Sequence, residues 1–178
     1  MSAKVGQKAP DFTMSTTEDI ETLEHVVKLE DYEGKWLVLF FYPLDFTFVC
    51  PTEIKGFNSK LSQFKKIGAE ILGVSTDSVY SHRAWIRASK EEGGLGDLNY
   101  PLASDITKQV SRDYGVLIEE KGVSLRGLFI IDPEGVIRYQ IVSDLNVGRS
   151  VDEILRVLKA FQTGGLCPID WQPGEKTL

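Results

Sequence analysis

The chain has 178 residues, 42% of them hydrophobic and 26% charged, and a formal charge of −6. At roughly 100–200 residues per domain this is one folded unit, large enough to bury a core without disulfide staples. The acidic balance argues against binding to phosphate backbones, and no stretch approaches the ~20 apolar residues of a membrane span. Two cysteines, Cys50 and Cys167, form no disulfide framework. His25 and His82 lack ligand spacing, so no metal is expected, and both read as surface or core-edge residues. Met1 to Gly6 lacks the apolar core of a secretory signal, which makes a cytoplasmic location the default expectation.

From the N-terminus, Ala9-Pro10-Asp11-Phe12 and Glu24 to Leu29 flank a polar turn, predicting a hairpin or loose strands at a sheet edge. A loop from Asp31 to Lys35 leads into Trp36-Leu37-Val38-Leu39-Phe40-Phe41-Tyr42, an apolar run that reads as a fully buried central strand. Pro43 stops it, because proline cannot donate to a sheet ladder. Beyond Cys50, Ile54, Phe57, Leu61, Phe64 and Ile67 recur at helical spacing, and Gly68 stands where a C-terminal cap belongs. Glu70 to Asp77 predicts a second strand. Tyr80 to Glu92 predicts a helix with Trp85 as a packing residue, ended by Gly93-Gly94-Leu95-Gly96. A short strand from Pro101 to Asp105 and a helix from Thr107 to Tyr114 follow. Leu125 to Asp132 and Val136 to Val142 around Pro133-Glu134-Gly135 predict a β-hairpin. Val151 to Phe161 is the clearest amphipathic helix, with Ser150 as its N-cap. The alternation predicts an α/β fold over residues 1–163, a central mixed β-sheet flanked by helices. Residues 164–178, rich in glycine and proline, predict an extended, mobile tail carrying Cys167.

The chemistry is concentrated around Cys50. Pro51 and Glu53 behind it make a helix-start signature, so this thiol is expected where a buried strand hands over to a helix N-terminus. Unpaired backbone N–H groups and the positive end of a helix dipole favour negative charge on sulfur there. Most lone cysteines are small buried hydrophobes, but this position favours a reactive thiol. Thr47, three residues earlier, can turn a hydroxyl that both donates and accepts toward the same pocket. Arg126, from the residues alone, reads equally as a solvated strand-end cation and as a functional one. A disulfide reductase would need Cys-x-x-Cys, whereas Cys50 is followed by Pro51-Thr52-Glu53.

Pro43-Leu44-Asp45-Phe46-Thr47-Phe48-Val49-Cys50 matches the pattern Pro-x-x-x-Thr-x-x-Cys, and on it the chain resembles the peroxiredoxins, thiol peroxidases on a thioredoxin-like fold. The likeness continues through Val49 to Glu53, Arg126 to Asp132, Val147 to Glu153 and Cys167-Pro168. It covers nearly the whole chain and is strongest to the typical two-cysteine group. The resemblance implies that Cys50 is the peroxidatic cysteine, attacking a hydroperoxide and becoming a sulfenic acid. It implies that Thr47 bonds the peroxide oxygens, that Pro43 shields the sulfenate, and that Arg126 favours the thiolate and bonds the oxygens. Glu53 and Arg149 would brace Arg126. Cys167 would be the resolving cysteine, reaching the partner subunit; an unpaired exposed thiol is the other reading of it.

The resemblance further implies a homodimer with an intersubunit disulfide and a ring of dimers, with a dimer–dimer contact near Phe41 to Phe48 and Ser75 to His82. Hydrogen peroxide and organic hydroperoxides are the implied substrates, and thioredoxin or a flavoprotein disulfide reductase the implied electron donor. No cofactor, nucleic acid or membrane is implied. Members of the group also hold unfolded proteins, so a chaperone is the second reading. One departure stands out: easily over-oxidised members pair a Gly-Gly-Leu-Gly loop with a C-terminal helix carrying Tyr-Phe. This chain has Gly93 to Gly96 but reaches Leu178 shortly after Cys167-Pro168, so resistance to sulfinic acid is expected.

Overall fold

The structure, a computed structural model, describes residues 3–178. Its strands are β1 (Thr13–Thr16), β2 (Val26–Lys28), β3 (Trp36–Phe41), β4 (Ala69–Ser75), β5 (Leu102–Ser104), β6 (Leu117–Ile118), β7 (Val123–Ser124), β8 (Arg126–Ile131) and β9 (Ile137–Ser143). The α-helices are α1 (Cys50–Lys66), α2 (Val79–Arg87), α3 (Gln109–Asp113) and α4 (Val151–Gln162). The main sheet runs β2-β1-β5-β4-β3-β8-β9, parallel at β3–β4 and β4–β5 and antiparallel elsewhere. This is the mixed sheet flanked by helices that the alternation of elements predicts. An edge hairpin is present as β1–β2, but its first strand is Thr13–Thr16, within the stretch expected to be the turn, and not Ala9 to Phe12; β8–β9 forms the second expected hairpin at the other edge.

Strand β3 lies in the interior of the sheet, beside the middle strand β4, because both of its faces are apolar, and alternate side chains enter opposite layers. Val38 and Phe40, with Tyr42 just beyond, pack against Ile54, Phe57 and Phe64 of α1 and Ile154 and Leu158 of α4. Leu37, Leu39 and Phe41 pack on the other side with Met14, Val110, Tyr114 and Phe129. Gly73 of β4 leaves room for its neighbours on the adjoining strands β3 and β5: a β-carbon there would lie 2.8 Å from both Leu102 Cδ2 and Phe40 Cζ. Helix α1 ends as expected, with Gly68 in the left-handed region at φ 72°. Helix α4 begins at Ser150, whose Oγ accepts from Glu153 N at 3.2 Å.

Some expectations are corrected. Helix α2 stops at Arg87 instead of running to Glu92, because Ala88 turns extended and Ser89 N and Oγ both donate to Glu92 Oε2, at 3.1 and 3.0 Å. The glycine loop then folds back, with Trp85 Nε1 donating to Gly93 O at 3.0 Å. Helix α3 is only Gln109–Asp113, since Lys108 takes a left-handed conformation at φ 64°. The small β6–β7 ladder has no clear periodicity and was not expected. His82 is fully buried, not at the surface or core edge. The tail has no helix or strand, yet it folds back on the body: Trp171 is buried, Arg156 Nη1 donates to Trp171 O at 2.8 Å, and Leu178 N donates to Leu166 O at 2.8 Å.

The Gly73 contact yields a test of this packing. Gly73→Ala should destabilise the fold by about 1–3 kcal/mol through overpacking, read as a lower urea midpoint at unchanged slope.

Candidate active site

Cys50 is the first residue of α1, and its side chain is fully buried. Pro51 occupies the first turn, where its missing N–H costs nothing. Arg126 opens β8, the strand paired antiparallel with β3, and this brings its guanidinium to the end of the sheet that α1 starts from. Arg126 is buried, its Nη1 lying 3.5 Å from Cys50 Sγ and donating to Glu53 Oε1 at 2.5 Å. Its Nε donates to Leu145 O at 2.8 Å.

Glu53 binds both buried arginines. Arg149 Nε and backbone N donate to Glu53 Oε2 at 2.6 and 2.8 Å, and Arg149 Nη2 donates to Glu53 Oε1 at 3.1 Å. Arg149 Nη1 donates to Gly127 O at 2.6 Å, and its Cζ stands 5.3 Å over the Phe40 ring. Burial opposes ionisation of Glu53, but the hydrogen bonds and charge of Arg149, with the charge of Arg126, outweigh it and hold the carboxyl below its ordinary range. Arg149 therefore reaches Arg126 only through Glu53, and the bracing is a chain rather than a cluster.

Pro43 and Thr47 line one hollow, about 420 Å³ in volume, with Arg126, the residue whose Nη1 approaches the buried sulfur. Thr47 Oγ1 donates to Leu44 O at 3.0 Å, which aims its lone pairs rather than its proton at the hollow. The loop between Pro43 and Thr47 is pinned by Asp45. Tyr42 OH donates to Asp45 Oδ1 at 2.8 Å, His82 Nδ1 lies 2.7 Å from Asp45 Oδ2, and Ser81 Oγ donates to the same oxygen at 2.8 Å. His82 Nε2 donates to Ala103 O at 3.0 Å, and Asp45 N donates to Asp77 Oδ2 at 3.0 Å. Next to this anchor Phe46 is held at φ 55°, a conformation that an aromatic residue adopts only under constraint.

Cys167 is not part of this site within one chain. It lines a groove with Trp36, Tyr139 and Ala160, and Trp36 begins β3 whereas Cys50 follows its end. Gln162 Nε2 donates to Ile67 O at 2.7 Å, which ties the root of the tail to the far end of α1. Along the 17 residues of α1 that is about 25 Å from Cys50. Both cysteines are free. Among the described residues no group of three or more His, Cys, Asp or Glu could hold a metal ion, and no helix is long and apolar enough to cross a membrane.

Residues 5–140 match the AhpC/TSA family. The chain belongs to that family: it is a peroxiredoxin. It is 60% identical to a putative peroxiredoxin in the rubredoxin operon of Clostridium pasteurianum, over the full length of both chains. It is 55% identical to the putative peroxiredoxin YkuU of Bacillus subtilis, covering 98% of this chain and 97% of that one. The reduced 2-Cys peroxiredoxin of Plasmodium vivax superposes with a TM-score of 0.93 at 42% identity, over 97% of this chain and 91% of that chain. The fold is therefore the thioredoxin-like fold of the peroxiredoxins, and the protein is an enzyme, a peroxidase.

The motif residues Cys50, Arg126, Glu53 and Arg149 meet in this peroxiredoxin, with Pro43 and Thr47 at their mouth. Motif reading missed the carbonyls of Leu145 and Gly127, which no side-chain pattern could signal, and the Asp45–His82 anchor. Asp45 stood only as an unspecified position inside the motif, and His82 as an isolated histidine.

The Glu53 clamp generates a prediction. Glu53→Gln should cost about 3–5 kcal/mol, because it leaves two buried guanidiniums without their carboxylate. The sign with pH follows from the lowered value: the clamp stabilises the fold above the ordinary glutamate range of ~4.3 and loses that contribution as pH falls through the depressed value. Urea titrations across this acid range should show that component in the wild type and not in Glu53→Gln.

Proposed function

We propose that this peroxidase reduces hydrogen peroxide and organic hydroperoxides through Cys50, with Cys167 of a partner subunit as the resolving thiol. Cys50 attacks the terminal peroxide oxygen. The S–O bond forms as the O–O bond breaks, the thiol proton passes to the leaving oxygen, and the products are Cys50 sulfenic acid and water or an alcohol. Thr47 and Arg126 bond the peroxide oxygens, and Pro43 shields the sulfenate from water. The observation that carries this reading is the Arg126 Nη1 to Cys50 Sγ approach of 3.5 Å in a fully buried position, with Glu53 fixing the same nitrogen. A fixed fork beside the sulfur favours negative charge there and then on the departing oxygen.

What supports resolution by a partner is the separation of the two thiols. A disulfide needs α-carbons about 4.4–6.8 Å apart, whereas the tail is rooted at the opposite end of α1. Condensation of the sulfenic acid with Cys167 of the partner subunit releases water and leaves an intersubunit disulfide in a homodimer, itself assembling into a ring of dimers. A thioredoxin or a flavoprotein disulfide reductase in the cytoplasm then returns both thiols by exchange. Because Cys50 is fully buried, the first turn of α1 must open before any second thiol can reach it.

Rapid mixing of the reduced protein with hydrogen peroxide, followed by tryptophan fluorescence, tests this. A fast phase should vanish in Cys50→Ser and persist in Cys167→Ser, and the disulfide-linked dimer should be absent from both variants. A wild-type rate no greater than that of an ordinary free thiol would contradict the reading.

A further inference from the structure

The hollow in front of Arg126 is larger and more apolar than hydrogen peroxide requires. Its volume is about 420 Å³, against ~30 Å³ for a water molecule in the liquid. Leu44, Phe48, Val49, Val123 and Leu145 give it apolar walls, and no carboxylate lines it. Its charged groups are both cations, Arg126 and Lys121, in a chain whose formal charge is −6. The charge of Arg126 is already met by Glu53 at 2.5 Å. Lys121 is exposed and makes no ion pair among the described residues.

Although exposed, Lys121 stands on a fixed backbone. It lies in the turn between β6 and β7, where Lys121 N and Gly122 N both donate to Ile118 O, at 3.1 and 2.8 Å. Gly122 closes the turn at φ 64°, and Thr76 Oγ1 donates to its carbonyl at 2.9 Å. The ammonium of Lys108 lies against the same turn: a β-carbon on Gly122 would be 3.2 Å from Lys108 Nζ. Of the nearby acids, Glu119 is held by Arg112 through two bonds of 2.7 and 3.0 Å, and Glu120 and Asp144 do not line the hollow. The hollow is thus lined by cations and by no carboxylate, among apolar walls, on an acidic protein. Such an arrangement draws anions that also carry hydrocarbon.

We propose that Lys121 is a specificity-determining residue that selects hydroperoxides bearing both an apolar chain and a carboxylate, the chemical class of fatty-acid hydroperoxides. The carboxylate pairs with the Lys121 ammonium, the chain lies against Leu44, Val123 and Leu145, and the hydroperoxide oxygens face Arg126 and Thr47. The reaction is unchanged: Cys50 takes the terminal oxygen, the O–O bond breaks, the thiol proton goes to the alkoxide, and a hydroxy acid leaves with its carboxylate intact. The proposal rests on Cys50 being the attacking thiol, as under Proposed function.

The test is single-turnover oxidation of Cys50 at low ionic strength by a medium-chain hydroperoxy carboxylic acid and by its neutral primary amide. Within each protein the acid-to-amide rate ratio cancels any shared effect on the thiol. In the wild type the acid should react about threefold to tenfold faster. Lys121→Met should bring the ratio to about one, Lys121→Glu should reverse it, and added salt should shrink the wild-type preference. The same ratio in all three proteins would overturn the proposal. Hydrogen peroxide on the wild type separates the two failures: if it too reacts no faster than with a free thiol, the assignment of Cys50 falls and takes the Lys121 proposal with it.

Discussion

One carboxylate against two guanidiniums is the constraint on which this site depends. Glu53, Arg126 and Arg149 are all buried at the side chain, and together they carry one unmatched positive charge. Burying such a set is costly unless its donors are placed, and the carbonyls of Leu145 and Gly127 take N–H groups that Glu53 does not. Of the two cations, Arg126 is the one that stands 3.5 Å from Cys50 Sγ. A low-dielectric pocket makes that charge count for more than it would in water. Under the proposed mechanism the fold spends stability on a desolvated cation so that sulfur can carry negative charge without meeting solvent.

The same burial creates the enzyme's second problem. A sulfur with no exposed surface is closed to another cysteine until the first turn of α1 opens. Helix α1 links the two facts, since Cys50 is its first residue while the root of the tail is tied to its far end through Gln162 and Ile67. Ile54, Phe57, Leu61 and Phe64, which hold α1 to the sheet, all follow the first turn, whereas Glu53 within it is tied to Arg126 and Arg149. The Pro43–Thr47 loop behaves differently: Asp45, bonded to Tyr42, Ser81 and His82, fastens it to the body, and Phe46 holds a constrained backbone beside the anchor.

Much of this was legible in the sequence, for identifiable reasons. The buried strand, the proline stop and the helix start around Cys50 are local signals, and each survives in β3, Pro43 and α1. The strong periodicity of α4 and the turn between β8 and β9 were equally local. Arg126 was ambiguous from its own neighbourhood, because what makes it functional is the antiparallel pairing of β8 with β3, a contact distant in sequence that only the family motif signalled. Helix α2 ended early because Ser89 and Glu92 compete for the backbone, a side-chain effect that periodicity does not register. His82 was misjudged because an isolated histidine gives no sign of its partners, and its partner Asp45 lies 37 positions away in the chain.

Under the proposed mechanism Arg126 acts as a shaped donor, with N–H groups committed to Leu145, to Glu53 and to the reacting atoms, and not as a bare charge. The most direct measurement is the second-order rate of Cys50 oxidation by hydrogen peroxide in Arg126→Lys, a change that keeps the charge and removes the fork. The rate should fall by about a hundredfold or more, the size expected when an oriented donor to a developing oxyanion is lost. A rate within about twofold of the wild type, on the tenfold-per-1.36 kcal/mol scale of activation energies, would contradict it and reduce the clamp to a structural ion network.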